Sequence, residues 1–383
     1  MVATALRRRL RRLFGREASP SPSGEAQEHL DRGKALSEAG QHAEAAVAYA
    51  RATALEPDYA EAHFRLGLAW RDQQSYSAAA SSYRSALTLR PDYIEAHNNL
   101  GAVLQLQGKL SEALASYRSA VELNPDFSQP YLNFGRLLEA LGDGGGAARV
   151  YQHAIARGIE PDTFRHLANA LAGITTKRAP AAYARTVFDN FAEQFDRRLV
   201  EELGYRIPQI LAECLKAEIG RNDLRVLDLG CGTGLCGAQL RGSCVQLVGV
   251  DLSPSMLAKA RARGIYHELV EQDVADYLST APSAGFDAVV AADVFIYIGE
   301  LAGIFSQVAR TLAGSGVFAF SVEQAPNHED FVLRSSGRYA QSATYIRRLA
   351  AQSGLSVQET RETTIRGEGS HAVNGNVFVL RKH

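Results

Sequence analysis

The chain has 383 residues, 46% hydrophobic and 22% charged, which fits an ordinary globular protein of about two domains. Its net charge of −1 excludes a general electrostatic pull toward nucleic acid, so no nucleic-acid partner is expected. No apolar run reaches the roughly 18–20 residues of a membrane span. The four cysteines (Cys214, Cys231, Cys236 and Cys244) form no CxxC pair and no zinc spacing. They read as reduced core residues of a cytoplasmic protein, with no metal site expected.

In chain order, residues 1–25 come first as a basic tail and linker. The run MVATALRRRLRRLFGR carries six arginines and no acid, with Leu6, Leu10, Leu13 and Phe14 at helical spacing. Such a segment suits weak contact with an anionic membrane surface or a transit peptide; the plainer alternative is a solvated tail.

From Ala26 a 34-residue period begins. Gly33, Gly67, Gly101 and Gly135 keep it, as do Ala45, Ala79, Ala113 and Ala147, and Tyr49, Tyr83, Tyr117 and Tyr151. Pro57, Pro91 and Pro125 close the first three units. Two amphipathic helices per unit at this period resemble the tetratricopeptide repeat (TPR). Four units are expected over 26–161, the last drifting, with GDGGG at Gly142–Gly146 in its inter-helix turn. Small residues would let the helices of a unit approach, and the tyrosine would fill the space beneath the next unit. The resemblance implies a concave groove for a protein or peptide partner. Arg65, Asn98, Asn99, Asn133 and Arg136 are its candidate contacts, since asparagine offers both donors and acceptors to an extended backbone. They also read as plain solvated polar residues. A linker helix over 162–180 follows, broken at TTKRAP.

Beyond Arg221 the pattern turns to short apolar strands alternating with helices, as in a parallel sheet covered on both faces. Strands are expected at LRVLDLG, VQLVGVD, Tyr266–Val270, FDAVVAA and GVFAFSVE, and helices at Pro254–Arg263 and Glu300–Leu312. The tail runs LSVQETRETTIR and AVNGNVFVLRK have no helix between them and predict an antiparallel edge hairpin.

VLDLGCGTGLCG carries two overlapping glycine patterns. A dinucleotide fingerprint needs its first glycine at the turn closing the strand, which is Gly230, and its sixth position is then Leu235. The pattern that fits the strand end is Asp228-x-Gly230-x-Gly232-x-Gly234. With VGVDLSPSMLAKAR, EQDV and FDAVVAADV, it resembles the class I S-adenosylmethionine-dependent methyltransferases over roughly 226–381.

The resemblance implies a Rossmann-like, seven-stranded sheet ordered 3-2-1-4-5-7-6 in a domain spanning 181–383, and S-adenosylmethionine as cofactor. It also assigns roles. Gly230, Gly232 and Gly234 would let the backbone pass under the ligand. Asp228 would orient the methionyl ammonium, directly or through water, or else brace the loop. Asp251 would take both ribose hydroxyls, or cap a helix. Leu252 and Met256 would pack near the adenine. Asp273, with the Val274 backbone, would meet its amino edge, or act as an N-cap. Asp293 would lie near the amino-acid part and the substrate mouth, or be structural. Phe191 and Phe195 would form a lid, or pack ordinarily. No catalytic base is assigned, and His328, Tyr339 and Tyr297 are the candidates. The leading reading is a methyltransferase with an unidentified acceptor, its repeats mediating protein–protein interaction. The alternative is a non-catalytic TPR scaffold.

Overall fold

The computed structural model describes residues 23–383, except 193–194, 198, 200–202 and 369–370. The arginine-rich segment 1–22 lies outside them. Two compact units divide between Val150 and Tyr151. The expected linker 162–180 therefore falls within the second unit. Among the described residues no helix is long and apolar enough to cross a membrane.

The first unit is a series of helix pairs: Gly24–Glu38 with His42–Leu55, Ala60–Asp72 with Tyr76–Leu89, and Ile94–Leu106 with Leu110–Leu123, then Ser128–Ala140. The periodic glycines permit close helix contact, and the tyrosine serves its own unit as well as the next: Tyr49 shares a core cluster with Ala62, Leu66 and Ala69, and Tyr83 with Ala96, Leu100 and Val103. A Cβ added at Gly33, Gly67 or Gly101 would lie 2.5, 2.5 and 2.6 Å from the ring of Tyr49, Tyr83 or Tyr117. Each ring is thus laid on the first helix of the same repeat.

A second set of positions at the same spacing ends each first helix in the left-handed conformation: Gly40, Gln74, Gly108 and Gly142, with φ of 74, 59, 73 and 79°. Glycine takes this conformation without penalty, and Gln74 takes it against its side chain. In the fourth repeat the turn stops at Asp143, and Gly144–Gly146 already belong to the helix Gly144–Ala156. The Gly146 N–H donates to Asp143 Oδ1 at 2.7 Å, so the acid caps that helix.

The candidate groove residues bond to neighbouring side chains. Asn133 Nδ2 donates to Asn98 Oδ1 at 2.9 Å, tying one repeat to the next, and Arg71 donates to Asn99 Oδ1 at 2.9 Å. Arg65 lies 3.6 Å from Glu61, and Arg136 donates to Glu139 at 2.8 Å.

The second unit is built on a seven-stranded sheet. Its strands are β1 (Leu224–Leu229), β2 (Cys244–Asp251), β3 (Glu268–Glu271), β4 (Phe286–Ala291), β5 (Leu312–Glu323), β8 (Leu355–Glu368) and β9 (His371–Lys382). A separate small hairpin joins β6 (Phe331–Leu333) to β7 (Tyr339–Gln341). The sheet order is β3-β2-β1-β4-β5-β9-β8, parallel through β5 and antiparallel thereafter. Leaving the small hairpin aside, that is the expected 3-2-1-4-5-7-6.

Both faces are covered. Leu227, Leu229, Val289, Phe318 and Phe320 share one apolar cluster, while Val226, Ala288, Val290, Val317 and Ala319 share the other. Alternate residues of each strand thus enter opposite cores, which explains the near-continuous apolar runs. The helices Ala302–Thr311 and Ala343–Gln352 cover the first face and Ile207–Ile219 covers the second. All four cysteines are free and buried.

The TTKRAP stretch is pinned, not loose. Gly299 and Glu300 N–H groups donate to Lys177 O at 2.9 and 2.8 Å, Ala179 N–H to Tyr297 O at 2.9 Å, and Leu333 N–H to Thr175 Oγ1 at 3.1 Å.

Candidate cofactor site

Strand β1 ends in a loop where Gly230, Gly232 and Gly234 all take positive φ, at 62, 54 and 89°. Side chains strain that conformation, and a Cβ at Gly230 would also lie 2.5 Å from Val294 Cγ2. The loop is fastened to its neighbour β2. Cys231 N–H donates to Val250 O at 3.0 Å, and Gly232 N–H to Asp251 Oδ2 at 2.8 Å. The other carboxylate oxygen of Asp251 accepts from Ser253 N–H at 2.9 Å. Ser253, not Asp251, caps the next helix, through Met256 N–H at 3.1 Å.

The overlapping GxGxxG pattern has a packing cause. Gly237 stands against the Tyr266 hydroxyl, where a Cβ would collide, and Gly234 and Gly249 flank the same ring. Tyr266 Oη donates to Asp228 Oδ2 at 2.7 Å. Asp228 is 1% exposed, and its Oδ1 has no hydrogen-bond partner. Burial pushes its carboxyl up to about 7, against the lowering effect of the tyrosine bond. Burial also raises Asp251, offset by the backbone N–H groups it accepts.

A cavity of about 330 Å³ opens above the loop. Among the expected residues it is lined by Gly230, Gly232, Asp251, Leu252, Asp273, Val274, Asp293, Tyr297 and Phe195. Asp228, Gly234 and Met256 are not in the lining. Asp228 lies beneath the loop, Gly234 faces Tyr266 and Arg263, and Met256 is fully buried. Asp273 is an N-cap, accepting from Ala275 N–H at 2.9 Å, and its other oxygen accepts from Arg178 at 2.6 Å. His328 is 79% exposed beside Glu329 and stands outside the lining. Tyr339 is fully buried, shares a 2.5 Å hydrogen bond with Thr176 and is likewise outside. Tyr297 lines the cavity, its hydroxyl pushed up to about 12 by burial. Nothing is described of the Phe191 side chain.

Four further lining residues are not among the expected site residues: Arg178, Phe188, Tyr205 and Arg366. Residues 178–192, with Asp196 beyond them, are latched over the ends of β1–β3. Ser253 Oγ donates to Asp189 at 2.5 Å, Arg185 pairs with Glu271 at 3.4 Å, and Asp196 takes both Thr233 Oγ1 and Arg263. Phe188 sets its ring edge-on to Tyr297, 5.3 Å between centroids.

The family model for a methyltransferase domain matches residues 226–316, and tetratricopeptide-repeat models match 30–94 and 94–127. The chain joins tetratricopeptide repeats to a class I S-adenosylmethionine-dependent methyltransferase domain. Over 153 residues it is 31% identical to the biotin biosynthesis bifunctional protein BioHC of Saccharophagus degradans, covering 39% of this chain and 26% of that one. Over 106 residues it is 37% identical to human methyltransferase-like protein 27, covering 27% and 43%. The match thus spans less than half the length of either relative. A solved Burkholderia thailandensis 1,6-didemethyltoxoflavin-N1-methyltransferase aligns with a TM-score of 0.42 at 19% identity, covering 53% of this chain and 90% of that one.

The cofactor of the methyltransferase domain is S-adenosylmethionine, and the cavity fits it. Its lining carries the Asp251 carboxylate at the end of β2, whose two acceptor oxygens suit a vicinal diol.

Asp228 gives a pH signature. Its carboxyl titrates near 3.8 when unfolded and at about 7 when folded, so the folded state holds the proton more tightly. That contribution is full below 3.8 and is lost as pH rises through about 7. Asp228→Asn keeps an acceptor for Tyr266 and removes the titration. Relative to wild type, the variant should gain stability between about pH 5 and about pH 7, by at most about 1.4 kcal/mol per pH unit. Urea melts of both proteins across that range check it; parallel curves would refute the assignment.

Proposed function

We propose that the chain transfers a methyl group from S-adenosylmethionine to an acceptor, and that its repeats hold a protein or peptide partner. The observation that carries the first part is Asp251: it ends β2, lines the cavity and is held by an N–H of the glycine loop. When bound, the cofactor supplies an electrophilic methyl on a sulfonium sulfur.

In this reading the chain's residues bind, orient and exclude water. Gly230 and Gly232 bring the backbone under the ligand, and Asp251 accepts from both ribose hydroxyls. Leu252 and Val274 flank the adenine, with Asp273 at its amino edge. Asp228, beneath the loop, braces Tyr266 and so fixes the loop from below. Phe188, Phe195 and the latched residues 178–192 keep water from the reacting atoms, which lets proximity and orientation supply much of the rate.

The partner reading is supported by the repeats themselves and by the bonded pair Asn98 and Asn133, with Asn99 beside it. The test is transfer of a tritiated methyl from S-adenosylmethionine into a lysate, followed by identification of the labelled species. Wild type should label a limited set of acceptors, and the Asn99→Ala/Asn133→Ala double variant should lose those recruited through the repeats. Saturable cofactor binding without transferred label would favour the scaffold reading. An unchanged label pattern in the double variant would remove the groove from acceptor choice.

A further inference from the structure

Asp293 follows β4 with a backbone φ of 60°, a conformation that costs a non-glycine residue energy. Three anchors hold it there. Its N–H donates to Ser321 Oγ at 2.9 Å, Arg366 donates to its Oδ2 at 2.6 Å, and Arg366 is in turn held by Glu323. Arg366 and Glu323 are 4% and 2% exposed. Arg366 sits where the β8–β9 register shifts, so both it and Ile365 are buried in breach of strand alternation. With Oδ2 fixed, Asp293 Oδ1 is left buried with no hydrogen-bond partner, in a residue that lines the cavity. The Asp293 carboxylate is drawn toward β5 and β8, away from β2 and Asp251. The lining of the same cavity includes Leu203, Tyr205, Pro208 and Tyr297, which are largely apolar.

We propose that Arg366 and Glu323 are positioning residues that turn Asp293 Oδ1 toward the methyl acceptor, a small molecule with an apolar body and a hydrogen-bond-donating amine or hydroxyl. An unpaired buried acceptor is costly and gains most from a donor. A carboxylate ligand gains little here, because Arg366 is already engaged by two acids and Arg178, the other arginine of the lining, by Asp273. The proposal rests on the methyl-transfer reading above.

The test titrates the full chain, saturated with S-adenosylhomocysteine, with benzylamine and with benzoate. Wild type should bind benzylamine at least about tenfold tighter than benzoate, as expected for a charge-assisted bond to a carboxylate. Asp293→Asn should lose that preference while its S-adenosylhomocysteine affinity stays within about twofold. Glu323→Gln should also lose it, because a guanidinium released from Glu323 can take Oδ1 itself. A merely structural role would move cofactor affinity and leave the amine-to-carboxylate ratio alone. The proposal falls if wild type shows no amine preference. It also falls if Asp293→Asn weakens S-adenosylhomocysteine about tenfold and spares benzylamine, since Oδ1 then serves the cofactor. A wild-type chain that does not bind S-adenosylhomocysteine brings down the methyl-transfer reading instead, and the amine preference is then read on the free chain.

Discussion

Asp251→Ala is expected to weaken S-adenosylhomocysteine binding by at least about 100-fold, close to 2.7 kcal/mol. Two losses combine. The ligand's ribose hydroxyls lose a charged acceptor, worth about 1.5–3 kcal/mol. The N–H groups of Gly232 and Ser253, now bonded to the two carboxylate oxygens at 2.8 and 2.9 Å, lose their partner, so the loop is no longer preorganised. Each buried donor left unpaired costs about 1–3 kcal/mol. Asp251→Asn separates the two effects, because its single oxygen can serve only one N–H group while the side-chain shape is kept; about a tenfold loss is expected there. Isothermal titration measures both, with circular dichroism melts to report folding. An alanine variant with wild-type affinity would mean that the ligand does not rest on the tip of β2.

Gly67→Ala should destabilise the repeats by about 1–3 kcal/mol, although alanine is the better helix former by about 1 kcal/mol. The added methyl would stand 2.5 Å from Tyr83 Cε1, and Tyr83 is fully buried, so the ring has nowhere to retreat. Overpacking therefore outweighs propensity. Gly144→Ala is the control: it lies in the helix Gly144–Ala156 and nothing stands within 4 Å of an added Cβ. That variant should be neutral or more stable by up to about 1 kcal/mol. Urea unfolding of the two variants decides the matter. Equal effects would show that the periodic glycines answer to helix propensity and not to the tyrosine ring.

Much of this architecture was legible in the residues. Gly33, Gly67 and Gly101 marked the repeat because each unit presents the same packing problem at the same interval, and a Cβ fails it each time. The apolar strands and the intervening helices were legible because a sheet buried on both faces tolerates little else. The glycine loop was readable from the placement of Gly230 at a strand end. Local pattern was weaker where one residue type serves two ends. It could not separate Gly234, which faces Tyr266 and Arg263, from a ligand-facing glycine. It also nominated His328 and Tyr339, one exposed and one buried, both outside the cavity lining.

The sequence by itself determined the two families, the order of elements and the acids at the ends of β1, β2 and β4. These follow from short-range periodicity and from which residues a tight turn admits. The tertiary structure decided which of those acids face the cavity. It set Asp228 beneath the loop and Asp251 on its rim, and it brought Arg178 and Arg366 to the same cavity from 188 residues apart in the chain, by subtraction of their numbers. Such pairings depend on sheet order and on one register shift in β8, and neither leaves a mark within reach of a local window of residues.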